Sequence, residues 1–260
     1  MFTHLFRSIM VTIRFPAMLL LTAFFTTWVL LLIPFPYKIR IFFGKRLLSY
    51  WAKTCCWLYF IRITVVGKKP KVRAGTLVVS NHIGYWDVII LGSLFPTVFL
   101  SKAEVKSMPI VGQGAWAAGV LFVDRSSATS GAKSIRNIAK GITQGATIIA
   151  FPEGTTTKIP EIRDFKLGTF KSAVLADIPI QPVGFTMTEF AEEGWHDEPM
   201  MAHYYKRGGK LSHHAFVAFG ELIRAEGDDP AHARDVTKKA VEEAFARANA
   251  AKIAKYPHKA

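Results

Sequence analysis

A chain of 260 residues, half of them apolar, carries 33 Lys and Arg against 19 Asp and Glu, and only 2 Cys. That length holds one substantial core, or one core with a smaller appendage, and the composition excludes a disordered or fibrous chain. The cysteines, Cys55 and Cys56, are adjacent in an apolar stretch. They give no disulfide framework and fit a reducing compartment.

The charge is unevenly placed, because 12 of the 33 basic residues, from Arg7 to Arg73, precede the first acidic one, Asp87. The same region holds an uncharged apolar run over 15–33, about long enough to cross a bilayer core. Basic residues around such a run fit an anionic membrane surface. They do not fit nucleic acid, which needs a polar basic face. A cleaved signal peptide is not expected, since the run is too long and Pro34 and Pro36 stand where small residues would mark a cleavage site.

Two helices are predicted here, split at Pro34 and Pro36, the second from Tyr37 to Phe60 with basic residues among Phe42, Phe43, Tyr50, Trp51 and Trp57. That mixture belongs at a lipid headgroup boundary. The first helix either spans the bilayer or dips into one leaflet; if it spans, the positive excess after it puts the rest of the chain in the cytoplasm. Residues 1–64 are therefore read as a two-helix membrane anchor, and 65–260 as an α/β domain on the cytoplasmic side of the inner membrane.

From Arg62 onward, β-rich runs at 62–67, 76–80, 97–101, 119–123, 147–151, 178–185 and 214–220 alternate with helical stretches at 85–94, 128–143 and 166–176. Such alternation predicts an α/β fold, a mostly parallel sheet flanked by helices. A last helix is predicted over 230–255 after Asp228 and Asp229, with core positions at Val236, Ala240, Val241, Ala244, Phe245 and Ala248. An irregular insertion fills about 188–210.

The chemistry centres on Asn81-His82-Ile83-Gly84-Tyr85-Trp86-Asp87, directly after the run 76–80. With His82 in the turn and Asp87 in the first helical turns, the carboxylate reaches back to one imidazole nitrogen and the other faces the end of the strand, where α/β sheets keep their sites. A helix N-terminus disfavours extra positive charge, and a neutral imidazole is the form a general base needs. Taken alone, the spacing reads equally as a capping or buried structural histidine.

Three further stretches follow in order: Gly119-Val120-Leu121-Phe122-Val123-Asp124-Arg125, Phe151-Pro152-Glu153-Gly154-Thr155, and Ile178-Pro179-Ile180-Gln181-Pro182-Val183. Together with the first, and with 101–112 between them, they resemble the motifs of the glycerolipid acyltransferases that include 1-acylglycerol-3-phosphate acyltransferases. The resemblance covers about 75–185. It implies His82 and Asp87 as the catalytic pair, Arg125 as a phosphate fork, and Glu153, Gly154 and Thr155 as substrate-binding, with Lys102, Lys158 and Lys166 adding to an anion site. The implied reaction moves a fatty acyl chain from an acyl thioester, acyl-CoA or acyl-carrier protein, to the free sn-2 hydroxyl of a lysophospholipid, most simply lysophosphatidate to phosphatidate. It needs no cofactor and no metal, and His196, His203, His213 and His214 are read as surface or loop residues.

One departure bears on the acceptor. Phosphatidate-forming members commonly follow this third motif with Arg-Ser, where this chain has Thr156-Thr157-Lys158; members acting on larger headgroups or lyso-aminolipids show the second threonine. Lysophosphatidylcholine, lysophosphatidylethanolamine and lyso-ornithine lipid therefore stay open as acceptors. So do a hydrolase or thioesterase in which the pair activates water, and a non-catalytic lipid-binding protein. The acidic stretch 189–198 reads as a solvated loop, or as a contact for a cationic headgroup.

Overall fold

The computed structural model describes residues 2–123, 128–157, 161–196, 198–225 and 229–259. Two helices come first, α1 (Phe2–Leu30) and α2 (Tyr37–Leu58), parted at Pro34 and Pro36 because proline cannot continue a preceding helix. Then follow β1 (Ile61–Val66), β2 (Leu77–Ser80), α3 (Tyr85–Leu94), β3 (Val98–Lys102), α4 (Val111–Ala117), β4 (Leu121–Val123), α5 (Ala128–Thr143), β5 (Ile148–Ala150) and α6 (Gly168–Leu175). The chain closes with β6 (Pro179–Met187), α7 (Phe190–Glu193), α8 (Met200–Arg207), β7 (His213–Phe219), β8 (Ile223–Arg224) and α9 (Pro230–Lys255).

The strands form one sheet in the order β1-β7-β6-β2-β5-β3-β4, with β8 also on β6. Pairing is parallel except where β6 meets β7 and β8. On β2, Val78 joins the core under α2 and α3 with Cys55, Ile90 and Leu91. Its neighbours Leu77 and Val79 join the opposite core with Ile142 of α5, Phe170 of α6 and Val241 of α9. A sheet covered on both faces needs apolar residues on both, so the strands read as continuous apolar runs.

Two residues in β6 show how tightly the layers meet. At Gly184, a Cβ would lie 2.0 Å from the Phe245 nitrogen, so only glycine lets α9 cross there. Pro182 sits in a central strand at the break between β7 and β8; its carbonyl accepts from Gly220 N at 2.9 Å, and the Gln181 side chain donates to Gly220 O at 2.7 Å. The proline has no N–H to return the bond to Gly220 O, and the Gln181 side chain supplies that donor in its place.

β1 pairs with β7 from Ile61 to Val66, so the α/β unit takes in Ile61–Thr64, which the sequence reading assigned to the anchor. α1 is docked lengthwise on this unit. Arg14 is 3% exposed and its guanidinium donates to the carbonyls of Gly208, Lys210 and Leu211. Phe15 packs on Tyr204 at 5.4 Å, and Trp51 Nε1 donates to Thr22 Oγ1 at 3.1 Å. The opposite side exposes Leu20, Phe24, Trp28 and Leu31. One described helix, Leu5–Leu30, is long and apolar enough to cross a membrane. Exposed apolar surface of this extent points to membrane association.

Candidate active site

β2 ends at Ser80, and Asn81 then continues the ladder with its side chain: Nδ2 donates to Phe185 O at 2.9 Å, and Oδ1 accepts from Phe185 N at 2.8 Å. This fixes the start of the turn that presents His82. Asp87 is the third residue of α3 and fully buried, and its Oδ2 accepts from Ile83 N at 2.7 Å and Gly84 N at 3.1 Å. Free amides at a helix start are the natural donors to such a carboxylate.

The same oxygen lies 2.8 Å from His82 Nδ1, whose side chain is 20% exposed. A carboxylate oxygen only accepts, so Nδ1 donates this bond and Nε2 is the nitrogen turned toward a substrate. The ring is stacked on Phe151, centroids 4.2 Å apart at 15°, which leaves it little rotational freedom. The expected pairing across the turn is present.

Glu153 comes from the loop after β5, the strand beside β2, and is 3% exposed. Its two oxygens accept from backbone amides, Oε1 from His82 N at 2.8 Å and Oε2 from Arg163 N at 3.0 Å. Gly154 takes φ 73°, the left-handed conformation that turns the chain back after the carboxylate. Burial pushes the Glu153 carboxyl up to about 7, and the two amide donors only partly oppose it. The residue expected to hold substrate is thus clasped to the backbone of the histidine turn.

Residues 62–186 match the family described as Acyltransferase. This segment belongs to the Acyltransferase family. Lyso-ornithine lipid O-acyltransferase of Pseudomonas aeruginosa is 34% identical over 182 residues, which cover 70% of this chain and 66% of that protein. The enzyme of the same name from Rhizobium meliloti is 30% identical, over 58% of this chain and 52% of the relative. A 1-acyl-sn-glycerol-3-phosphate acyltransferase of Neisseria meningitidis is 29% identical over 44% of this chain and 45% of the relative. The chain thus spans about half to two thirds of the length of such curated relatives. The crystal structure of the 1-acyl-sn-glycerophosphate (LPA) acyltransferase PlsC from Thermotoga maritima superposes with a TM-score of 0.68 at 20% identity, covering 94% of this chain and 96% of that one, which shows the shared fold.

Within the acyltransferase domain the remaining expected residues scatter more. Thr155 follows Gly154 and is half-buried; Lys102, at the end of β3, and Lys166, whose amide donates to Pro152 O at 2.9 Å, are both exposed. Lys166 also lines a cavity of about 190 Å³ with Leu100, Val123, Ile138 and Thr169. Arg125 and Lys158 lie outside the described residues.

The acyltransferase domain also corrects two readings. His203, His213 and His214 are buried, not surface residues. The acidic stretch is not simply solvated, since Glu193 is 3% exposed and its Oε1 meets Lys210 Nζ at 2.7 Å and His213 Nδ1 at 3.1 Å. Glu189 and Glu192 pair with Lys210 and Arg207, and Glu198 with Lys206. These are internal cations, so the geometry favours a folded brace over a headgroup contact. The roles of Asn81 and Phe151 appear only once β6 and the loop after β5 are placed beside β2.

Proposed function

We propose that the protein is a membrane-anchored O-acyltransferase that moves a fatty acyl chain from an acyl thioester to the free hydroxyl of a lysolipid. The observation that carries this reading is His82 after the end of β2, oriented through Nδ1 by buried Asp87 and with its side chain partly exposed. His82 Nε2 takes the proton of the acceptor hydroxyl as its oxygen bonds to the thioester carbonyl carbon. The tetrahedral adduct then expels the thiolate, which takes the proton from the imidazolium, leaving an ester and a free thiol. Asp87 holds the ring and stabilises its charged form. General-base catalysis of this kind supplies roughly 10² to 10⁴ in rate. Positioning both amphiphiles on one surface supplies more.

Residues 1–60 are the anchor in this reading, their basic residues facing anionic lipid and the domain lying on the cytoplasmic side of the inner membrane. The donor is acyl-CoA or acyl-carrier protein. The relatives of Pseudomonas aeruginosa and Rhizobium meliloti are named for lyso-ornithine lipid, and Thr156 is buried where a phosphate-binding cation would have to reach out, which supports a lyso-aminolipid acceptor. Relatives named for 1-acyl-sn-glycerol-3-phosphate support lysophosphatidate, acylated at its sn-2 hydroxyl, as the second reading.

Single-turnover thiol release, measured with each donor against lyso-ornithine lipid, lysophosphatidate and lysophosphatidylcholine, tests this. Release that requires an acceptor is expected. Release at the same rate without one would make the protein a thioesterase.

A further inference from the structure

The insertion between β6 and β7 meets the histidine turn at Trp195, with the Glu193 carbonyl beside Gly84. Trp195 N donates to the carbonyl of Ile83, the residue after His82, at 2.7 Å. The Trp195 carbonyl in turn accepts from the hydroxyl of Thr156, which is 6% exposed. This short strap lies directly on the turn, since a Cβ on Gly84 would stand 3.4 Å from both Trp195 N and Trp195 Cβ. Its outer side is pinned by Trp195 Nε1, which donates to Glu198 O at 2.8 Å.

The connections around His82 therefore close into a ring. Glu153 holds the His82 amide, Thr157 N donates to the His82 carbonyl at 3.2 Å, and the strap holds the carbonyl of Ile83. Two of these contacts come directly from the loop after β5. Among the described residues, the third reaches that loop through the Thr156 hydroxyl.

We infer that Thr156 is a positioning residue of the active site, acting through the Gly194–Trp195 strap to fix the backbone that carries His82; the inference rests on the acyltransferase reading. Asp87 sets the rotation of the imidazole, whereas the strap sets where its Cα stands relative to bound substrate. A displacement of about 1 Å at a reacting group costs on the order of 10²-fold in rate. Removing the hydroxyl also leaves the Trp195 carbonyl without its donor, which loosens the strap from the loop.

The test is steady-state kinetics of the full chain in phospholipid vesicles, with acyl thioester and lysolipid both varied. Thr156→Val keeps the shape and removes the donor; its kcat is expected to fall about tenfold, with both KM values within about twofold of wild type. Thr156→Ser restores the donor and is expected to return kcat to within about threefold. A Thr156→Val enzyme with wild-type kcat overturns the inference, and so does a raised acceptor KM at unchanged kcat, which would make Thr156 a substrate contact. An equal loss in the serine variant overturns it too. Thermal unfolding checks that Thr156→Val folds; if it does not, Thr156→Ala is judged by the same criteria. His82→Ala in the same assay separates the two levels. Wild-type turnover there would defeat His82 as the base, on which the proposed mechanism rests, whereas an inactive His82→Ala beside a normal Thr156→Val defeats only the positioning role.

Discussion

Among the described residues two histidine–carboxylate pairs share one geometry and differ in their surroundings. His82 and Asp87 meet at 2.8 Å, His213 and Glu193 at 3.1 Å, each through Nδ1. The His82 side chain is 20% exposed, whereas that of His213 is fully buried, its Nε2 without a partner among the described residues and its ring 4.5 Å from that of Trp86. A base must reach a hydroxyl, so access, and not the pairing itself, separates the pair proposed as catalytic from the structural one. Charge separates them as well. Glu193 is shared with Lys210, making a buried ionic cluster that ties the insertion to β7.

Replacing each histidine in turn should break this comparison cleanly. His82→Ala is expected to lower kcat by about 10³-fold while leaving the unfolding midpoint near that of wild type, because the ring lies at the surface end of its turn. Loss of stability with normal turnover in the folded fraction would reverse the assignment.

A pH series sharpens the comparison through the two buried glutamates. Burial holds Glu153 up near 7, so the folded state keeps a proton that the unfolded chain releases in the ordinary glutamate range. Its contribution to stability is full below that range and is lost as pH rises through about 7, on the order of 3 kcal/mol in all. At Glu193, burial pushes upward too, but His213 and Lys210 outweigh it and hold the carboxyl below its ordinary value. That contribution is present above the ordinary range and is lost on acidification. Unfolding midpoints of wild type, Glu153→Gln and Glu193→Gln from pH 4 to 8 should show the neutral-side slope vanish in the first variant and the acid-side slope in the second. A Glu153→Gln variant that keeps the wild-type slope would remove Glu153 as its source.

The smallest effect is expected at the structural pair. His213→Ala should cost about 2 kcal/mol, chiefly by taking a hydrogen-bond partner from buried Glu193, and lower the unfolding midpoint by several degrees. Turnover per folded molecule should stay within about threefold of wild type. A loss as large as that of His82→Ala would show that both pairs serve the reaction.

Much of this was legible in the sequence because it is local. α3, α5 and α9 lie where apolar spacing and capping residues place them, and the bridge from Asp87 back to His82 follows from five residues at a strand-to-helix turn. The α/β class with a mostly parallel sheet likewise follows from the alternation of elements. What was not legible depends on partners distant in sequence. Glu153 serves the His82 backbone, 71 residues away, and Asn81 completes the ladder of β6 at Phe185, 104 residues away. Three histidines read as peripheral are buried for the same reason, since their surroundings come from other segments. The short elements α4, α7, α8 and β8 have too few residues to show a period.

The pairing of β1 with β7 also bears on how the chain is made. Thr64 Oγ1 hydrogen-bonds with His214 Nε2 at 2.8 Å across 150 residues of sequence, and along its paired length β1 lies beside β7. At about 5–20 residues per second of synthesis, β1 leaves the ribosome roughly 8 to 30 s before its neighbour exists. During that interval its open backbone edge follows directly on two apolar helices. Early engagement of those helices with lipid would hold the strand at a surface, away from other nascent chains, until the C-terminal third arrives to close the sheet.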